Sequence, residues 1–103
     1  MGDDTRRVRV IAEEPWSWML YEDGDALVLD VVCSVGPATF TRALRLSDDD
    51  RRRYLGQGRA VLAGLAAGVQ GRAHLPDDGP LTGFDTDPLV REAALRWRAR
   101  ASG

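Results

Sequence analysis

Between Trp16 and Cys33 the chain reads WSWMLYEDGDALVLDVVC, two strand-like runs on either side of Asp23-Gly24. Asp-Gly between apolar runs is among the strongest short-range signals for a β-hairpin. With Asp23-Gly24 as the two-residue turn, Leu20 faces Leu27, Trp18 faces Leu29 and Trp16 faces Val31. That side is apolar throughout, while Ser17, Met19, Tyr21, Ala26, Val28 and Asp30 fall on the other. A slip of one residue would set the tryptophans beside Asp30, so burial and turn chemistry select the same faces. Such a hairpin confines the chain to folds built on an antiparallel sheet.

Two further strands flank it. Residues 6–12 alternate, with Val8 and Val10 on one side and Arg7 and Arg9 on the other, and Glu13-Glu14-Pro15 ends the run. After the turn signal Ser34-Val35-Gly36-Pro37, Thr39–Leu46 reads as a fourth strand with Phe40, Leu44 and Leu46 on one face. Arg42 sits among them. Four consecutive strands with short connections imply an antiparallel meander.

At Ser47-Asp48-Asp49-Asp50 the period changes from two to helical. Ser47 is a favoured N-cap, and three aspartates suit the positive end of a helix dipole. Tyr54, Leu55, Gly58, Val61, Leu62, Leu65 and Val69 continue the stripe, which predicts one helix over about 48–70. A glycine- and proline-rich loop spans 71–85, and a last helix over about 87–101 opens at Thr86-Asp87-Pro88. The expected fold is a single α+β domain over 1–103: a four-stranded meander packed by one helix, with a second helix at the C-terminus (ββββαα).

A chain of 103 residues has room for one core. No apolar run reaches the ~18 residues a membrane-spanning helix needs, and MGDDTRRVRV lacks the apolar core of a secretory signal. A cytoplasmic protein is expected, and the single cysteine, Cys33, fits a reducing compartment. All 14 basic residues are arginine, the mark of a GC-rich bacterial genome. The net charge of −2 hides an asymmetry. Residues 1–50 carry 5 Arg against 11 Asp and Glu (−6), and residues 51–103 carry 9 Arg against 5 (+4). Such halves pair with each other or present an acidic and a basic surface to partners.

No catalytic constellation emerges. His74 is the only histidine, and without a second histidine or a cysteine pair it proposes no zinc site. Together with Asp77 and Asp78 it marks an alternative, a small enzyme or ligand-binding site under the 71–85 loop. The aspartate clusters lack the spacing of a calcium loop, so no metal or cofactor is assigned. Arg91, Arg96, Arg98 and Arg100 surround Trp97 on the last helix, yet no nucleic-acid recognition signature accompanies them. The sharpest anomaly is Asp30, which interrupts the apolar run Leu27–Val32. It is an ordinary solvated residue if its face is wet, and a polar anchor if a partner packs there. Met19, Tyr21, Val28, Asp30 and Val32 therefore form the candidate partner-binding face, apolar enough to mark an interaction site.

The layout, with Glu13-Glu14-Pro15-Trp16 opening the hairpin and Leu46-Ser47-Asp48-Asp49-Asp50 opening the helix, resembles small bacterial proteins of the immunity-protein type over roughly residues 8–70. The resemblance implies a non-enzymatic protein-binding module, an immunity protein or inhibitor whose acidic surface suits a basic toxin. A homodimeric accessory subunit, joined through the open sheet face or an edge strand, is the remaining expectation.

Overall fold

The computed structural model describes residues 6–76 and 81–102. Strands β1 (Val8–Glu14), β2 (Trp18–Asp23), β3 (Ala26–Val35) and β4 (Ala38–Arg45) form one antiparallel sheet in the order β1-β2-β3-β4. Helices α1 (Asp48–Gln57), α2 (Arg59–Gly71) and α3 (Pro88–Ser102) follow, with a short 3-10 turn at Phe84–Thr86 before α3. This is the α+β layout ββββαα, with its first helical segment divided in two.

The hairpin keeps its expected faces but not its expected turn. Asp23 pairs with Ala26, Leu20 with Leu29 and Trp18 with Val31, so the turn residues are Gly24 and Asp25. Positive φ falls on the first of them (Gly24, +59°), as in type II′ turns. Every partner moves by two residues, an even step that leaves the sides unchanged. Trp16 is the exception: it stands outside the strand rather than opposite Val31. In β1 the alternation also breaks once. Val10 pairs with Tyr21 but Ala12 with Leu20, so Ile11 is the extra residue of a β-bulge. Val8 and Val10 consequently face one side of the sheet and Ala12 the other.

Each face carries its own core. On one, Trp18, Leu20, Leu29, Val31 and Cys33 pack against Leu62, Ala66 and Val69 of α2. Leu20, Leu29 and Val31 are wholly buried, each stabilising the fold by about 1.5–3 kcal/mol. Arg42 lies on this side, as its parity requires. It does not disturb the core because its guanidinium reaches over Phe40 (5.2 Å) and donates to the carbonyls of Arg72 and Leu75, just past the end of α2. On the other face, Val8, Val10, Tyr21 and Val28 pack against Phe84 and against Val90 and Ala93 of α3. A partner is therefore not needed to cover this half of the sheet, because the C-terminal helix does it.

The expected 48–70 helix breaks at Gly58. Ser47 caps α1 as predicted: its hydroxyl accepts from the Asp50 N–H (3.0 Å), and the Asp50 carboxylate accepts in return from the Ser47 N–H (3.4 Å). α1 buries no residue, whereas α2 buries Val61, Leu62, Ala66 and Val69. Gly58 ends α1 as its C-cap and opens α2 as its N-cap. Gly58, at φ +80° and ψ −153°, occupies a backbone region that is essentially closed to other residues. A side chain at Gly58 would meet no neighbour, so the restriction is purely conformational. Gly58→Ala is therefore expected to cost about 1–3 kcal/mol in urea unfolding. Gly56→Ala, inside α1 and equally unobstructed, is expected to stabilise by up to about 1 kcal/mol. Similar effects from the two substitutions would contradict this account of the break.

Candidate functional site

Polar contacts hold α3 at each end of its packed stretch. At its start, Asp87 accepts from the Leu89 N–H (2.9 Å) as the cap, and its other oxygen accepts from Arg6 (2.9 Å). Arg6 also binds both carboxylate oxygens of Asp23 (2.9 Å each), which ties the helix start to the β2–β3 corner of the sheet. The Arg6 guanidinium holds the Asp87 carboxyl below the usual carboxylate range. Further along, the Trp97 indole N–H donates to Glu13 on β1 (2.7 Å). Both fastenings lie on the β1–β2 side, and α3 crosses that side.

The rest of this sheet face is open. A groove of about 730 Å³ runs between α3 and the strands, with Met19, Asp30, Val32 and Thr41 among the residues that line it. Asp85, Arg91, Leu95 and Arg98 belong to the helix side, and Trp16 stands at the connection of β1 to β2. The candidate face read from the sequence is thus divided. Tyr21 and Val28 are buried in the second core and cannot serve as open contact surface, because Phe84, Val90 and Ala93 cover them. Met19 and Val32 remain half-buried in the groove, and Asp30 lies there 9% exposed.

Asp30 carries the strongest electrostatic tension of the groove. Burial, then the nearby charge of Asp85, raises its carboxyl from 3.8 to about 6. The neighbouring Thr41 hydroxyl opposes the rise, although it stops short of hydrogen-bond geometry and is itself buried without a partner. Among the described residues no arginine forms an ion pair with Asp30. Burial, followed by the charge of Asp30, also pushes the Tyr21 hydroxyl up to about 12. It remains a neutral donor and points its hydrogen at the Met19 sulfur (3.8 Å).

The connection Glu14-Pro15-Trp16-Ser17 was legible as a break but not as a site. The Ser17 N–H donates to the Glu14 carbonyl (3.0 Å), closing a turn with Pro15 second and Trp16 third. Trp16 has φ +65°, the backbone of a type II turn, in which glycine is the usual third residue. It is the only residue other than glycine with positive φ among those described. Trp16 is also 95% exposed. The Ser17 carbonyl accepts from the Val32 N–H (2.8 Å), which fastens the turn beside the groove. The signal available in the sequence was Pro15: a proline three residues before Trp18 leaves no room for a paired strand at Trp16.

Of the alternative loop site, only His74 falls among the described residues. His74 is exposed, while Asp77 and Asp78 lie outside the described residues. No group of three or more His, Cys, Asp or Glu among the described residues is placed to hold a metal ion, and no described helix is long and apolar enough to cross a membrane. No protein-family model, no curated protein and no solved structure matches the chain.

The Asp30 carboxyl gives a direct test of this geometry. Its proton is held more tightly in the folded chain than in the unfolded one, so folding stability falls as pH rises from about 4 to about 6. Asp30→Asn removes the ionisation. The variant is expected to exceed wild type by about 1–3 kcal/mol at pH 7.5, and the gain should vanish below pH 4. Chemical unfolding across that range checks it; a gain independent of pH would refute the assignment.

Proposed function

We propose that this protein is a non-enzymatic protein-binding module, of the kind represented by immunity proteins and inhibitors, and that it binds through the rim of the groove. The observation that carries the reading is Trp16. A tryptophan in a backbone conformation suited to glycine costs of order 1 kcal/mol or more. Ninety-five per cent exposure returns none of that cost through burial. Neither folding nor packing accounts for it, whereas tryptophan is among the residues most enriched at binding hot spots.

Leu95 supports the reading from the opposite wall. It is 64% exposed on α3 and lines the same groove. Half-buried Met19 and Val32 lie between the two. An apolar rim over a charged floor suits a protein surface with projecting side chains, which would desolvate the rim and satisfy the floor. The acidic balance of the N-terminal half suits a basic partner, a toxin under the immunity reading. A cytoplasmic, bacterial setting belongs to the same proposal.

Trp16 separates stability from binding. Trp16→Gly is expected to raise stability by about 0.5–1 kcal/mol, by relieving the positive φ. The same substitution and Trp16→Ala are expected to abolish capture of a partner from the native cell, as followed by affinity purification and mass spectrometry. Arg52→Ala, on an exposed helix away from the groove, should leave capture intact. A partner recovered equally with and without Trp16 would sink the proposal.

A further inference from the structure

Asp30 is nine-tenths buried, carries no ion pair among the described residues, and opens onto the groove. The Thr41 hydroxyl at the same place is also buried, without a partner in hydrogen-bond geometry, although it acts weakly on Asp30. The two residues lie on adjacent strands of the same sheet face: Val32, two residues beyond Asp30, pairs with Thr41. Buried polar groups in native proteins are nearly always satisfied, and an unpaired carboxylate is the most costly kind to leave bare. From this geometry we infer that the groove is a receptor for a basic side chain of the protein partner, an arginine whose guanidinium reaches Asp30 and Thr41. This rests on the protein-binding reading above and names the chemistry that the partner must supply.

Charge and shape favour that occupant. Asp85 also lines the groove and adds negative charge near Asp30. Glu13 and Glu14 stand at its β1 end, although Glu13 already accepts from Trp97 and Glu14 already pairs with Arg59. Arg91 and Arg98 on α3 offset part of this charge, and the influence of Arg98 falls on Tyr21. A metal ion is a poor fit, since no three candidate ligands converge among the described residues. A guanidinium has several in-plane donors, enough for a carboxylate and a hydroxyl together. Its flat faces and methylene stem suit a passage between Met19, Val32 and Leu95. Trp16 at the mouth offers a ring face on which a cation or a neighbouring residue of the partner can stack.

The titrating group of the site is Asp30. The charged or titratable groups lining the groove with it are Glu13 and Glu14 from β1, Tyr21 from β2, Asp85 from the 3-10 turn, and Arg91 and Arg98 from α3. Among these, burial raises the Tyr21 hydroxyl to about 12, well above the range in which Asp30 titrates. A cation bound by Asp30 should hence be released as pH falls through about 6.

Nα-acetyl-arginine amide is the probe, with Nα-acetyl-citrulline amide as its neutral isostere, and binding is read by NMR shifts of the full chain. Arginine amide is expected to shift Asp30, Val32 and Thr41 saturably at pH 7.5. Citrulline amide should bind at least about tenfold more weakly, and Asp30→Asn should weaken the arginine compound by a similar factor. At pH 5 the wild-type protein should resemble the variant. Equal binding of the two compounds, equal binding by Asp30→Asn, or no saturable shift would each overturn the inference. Thermal unfolding of Asp30→Asn establishes that the variant is folded. The captured partner separates this claim from the broader one. Retention by Asp30→Asn together with loss by Trp16→Ala would leave the protein-binding reading standing and remove the arginine receptor. Retention by Trp16→Ala would remove the reading itself.

Discussion

The placement of α3 across the β1–β2 half of the sheet is the constraint on which the rest depends. Arg6 joins Asp87 at the start of the helix to Asp23 at the β2–β3 corner. Trp97 joins the other end of the packed stretch to Glu13. Between them, Val90 and Ala93 seal Val8, Val10, Tyr21 and Val28. A helix is about 10–12 Å across, while four strands at about 4.8 Å spacing are nearly twice as wide. One helix therefore covers about half of such a face. The opposite face receives α2 with α1 beside it, and the groove along α2 at Arg59 and Ala63 is smaller, about 320 Å³. Thus the groove follows from the count of helices as much as from any single residue.

Within that frame, Asp30 shows how an unfavourable group can be retained. It lies on the central pair of strands, where the residues on both sides in sequence, Leu29 and Val31, are wholly buried. The sheet cannot move it to solvent without moving them. Its carboxyl is accordingly desolvated, and the nearby Asp85 charge makes ionisation still less favourable. A valine at this position would fill the same space at less cost. Trp16 presents the same logic on the backbone: a residue placed where its own conformational preference opposes it. Two such conflicts on the lining of one groove are more informative than either alone, because local violations of folding rules tend to collect at functional sites.

The sheet was largely legible because strand faces depend on parity, and parity survives errors of two. Moving the turn from Asp23-Gly24 to Gly24-Asp25 changed every partner and no face. Parity fails where a residue is inserted, and Ile11 is such an insertion; no pattern in Val8–Glu14 announces it. Trp16 was misplaced because alternation was carried past Pro15, where turn chemistry should have taken precedence. The helical break at Gly58 was obscured differently. Gly56, Gly58, Gly64 and Gly68 all lower helix propensity alike, and only the backbone shows that Gly58 alone takes positive φ. As for the partner-binding face, its composition was visible but its cover was not. The apolar residues that mark a strand face look the same whether a partner or the chain's own helix buries them.

That ambiguity also explains why the groove divides the original face between two roles. Tyr21 and Val28 meet apolar side chains and are fully accounted for by folding. Asp30 on β3 and Thr41 on β4 line the open groove, where the sheet presents polar groups. Had α3 been meant to cover the entire face, these two positions would have demanded donors from it. The helix instead places Leu95 and Arg98 along the groove and sends the Trp97 indole away to Glu13. On the arginine-receptor inference, the further donors for Asp30 and Thr41 come from outside the described fold. A cationic side chain entering past Trp16 supplies them with the least rearrangement, since nothing already packed has to move.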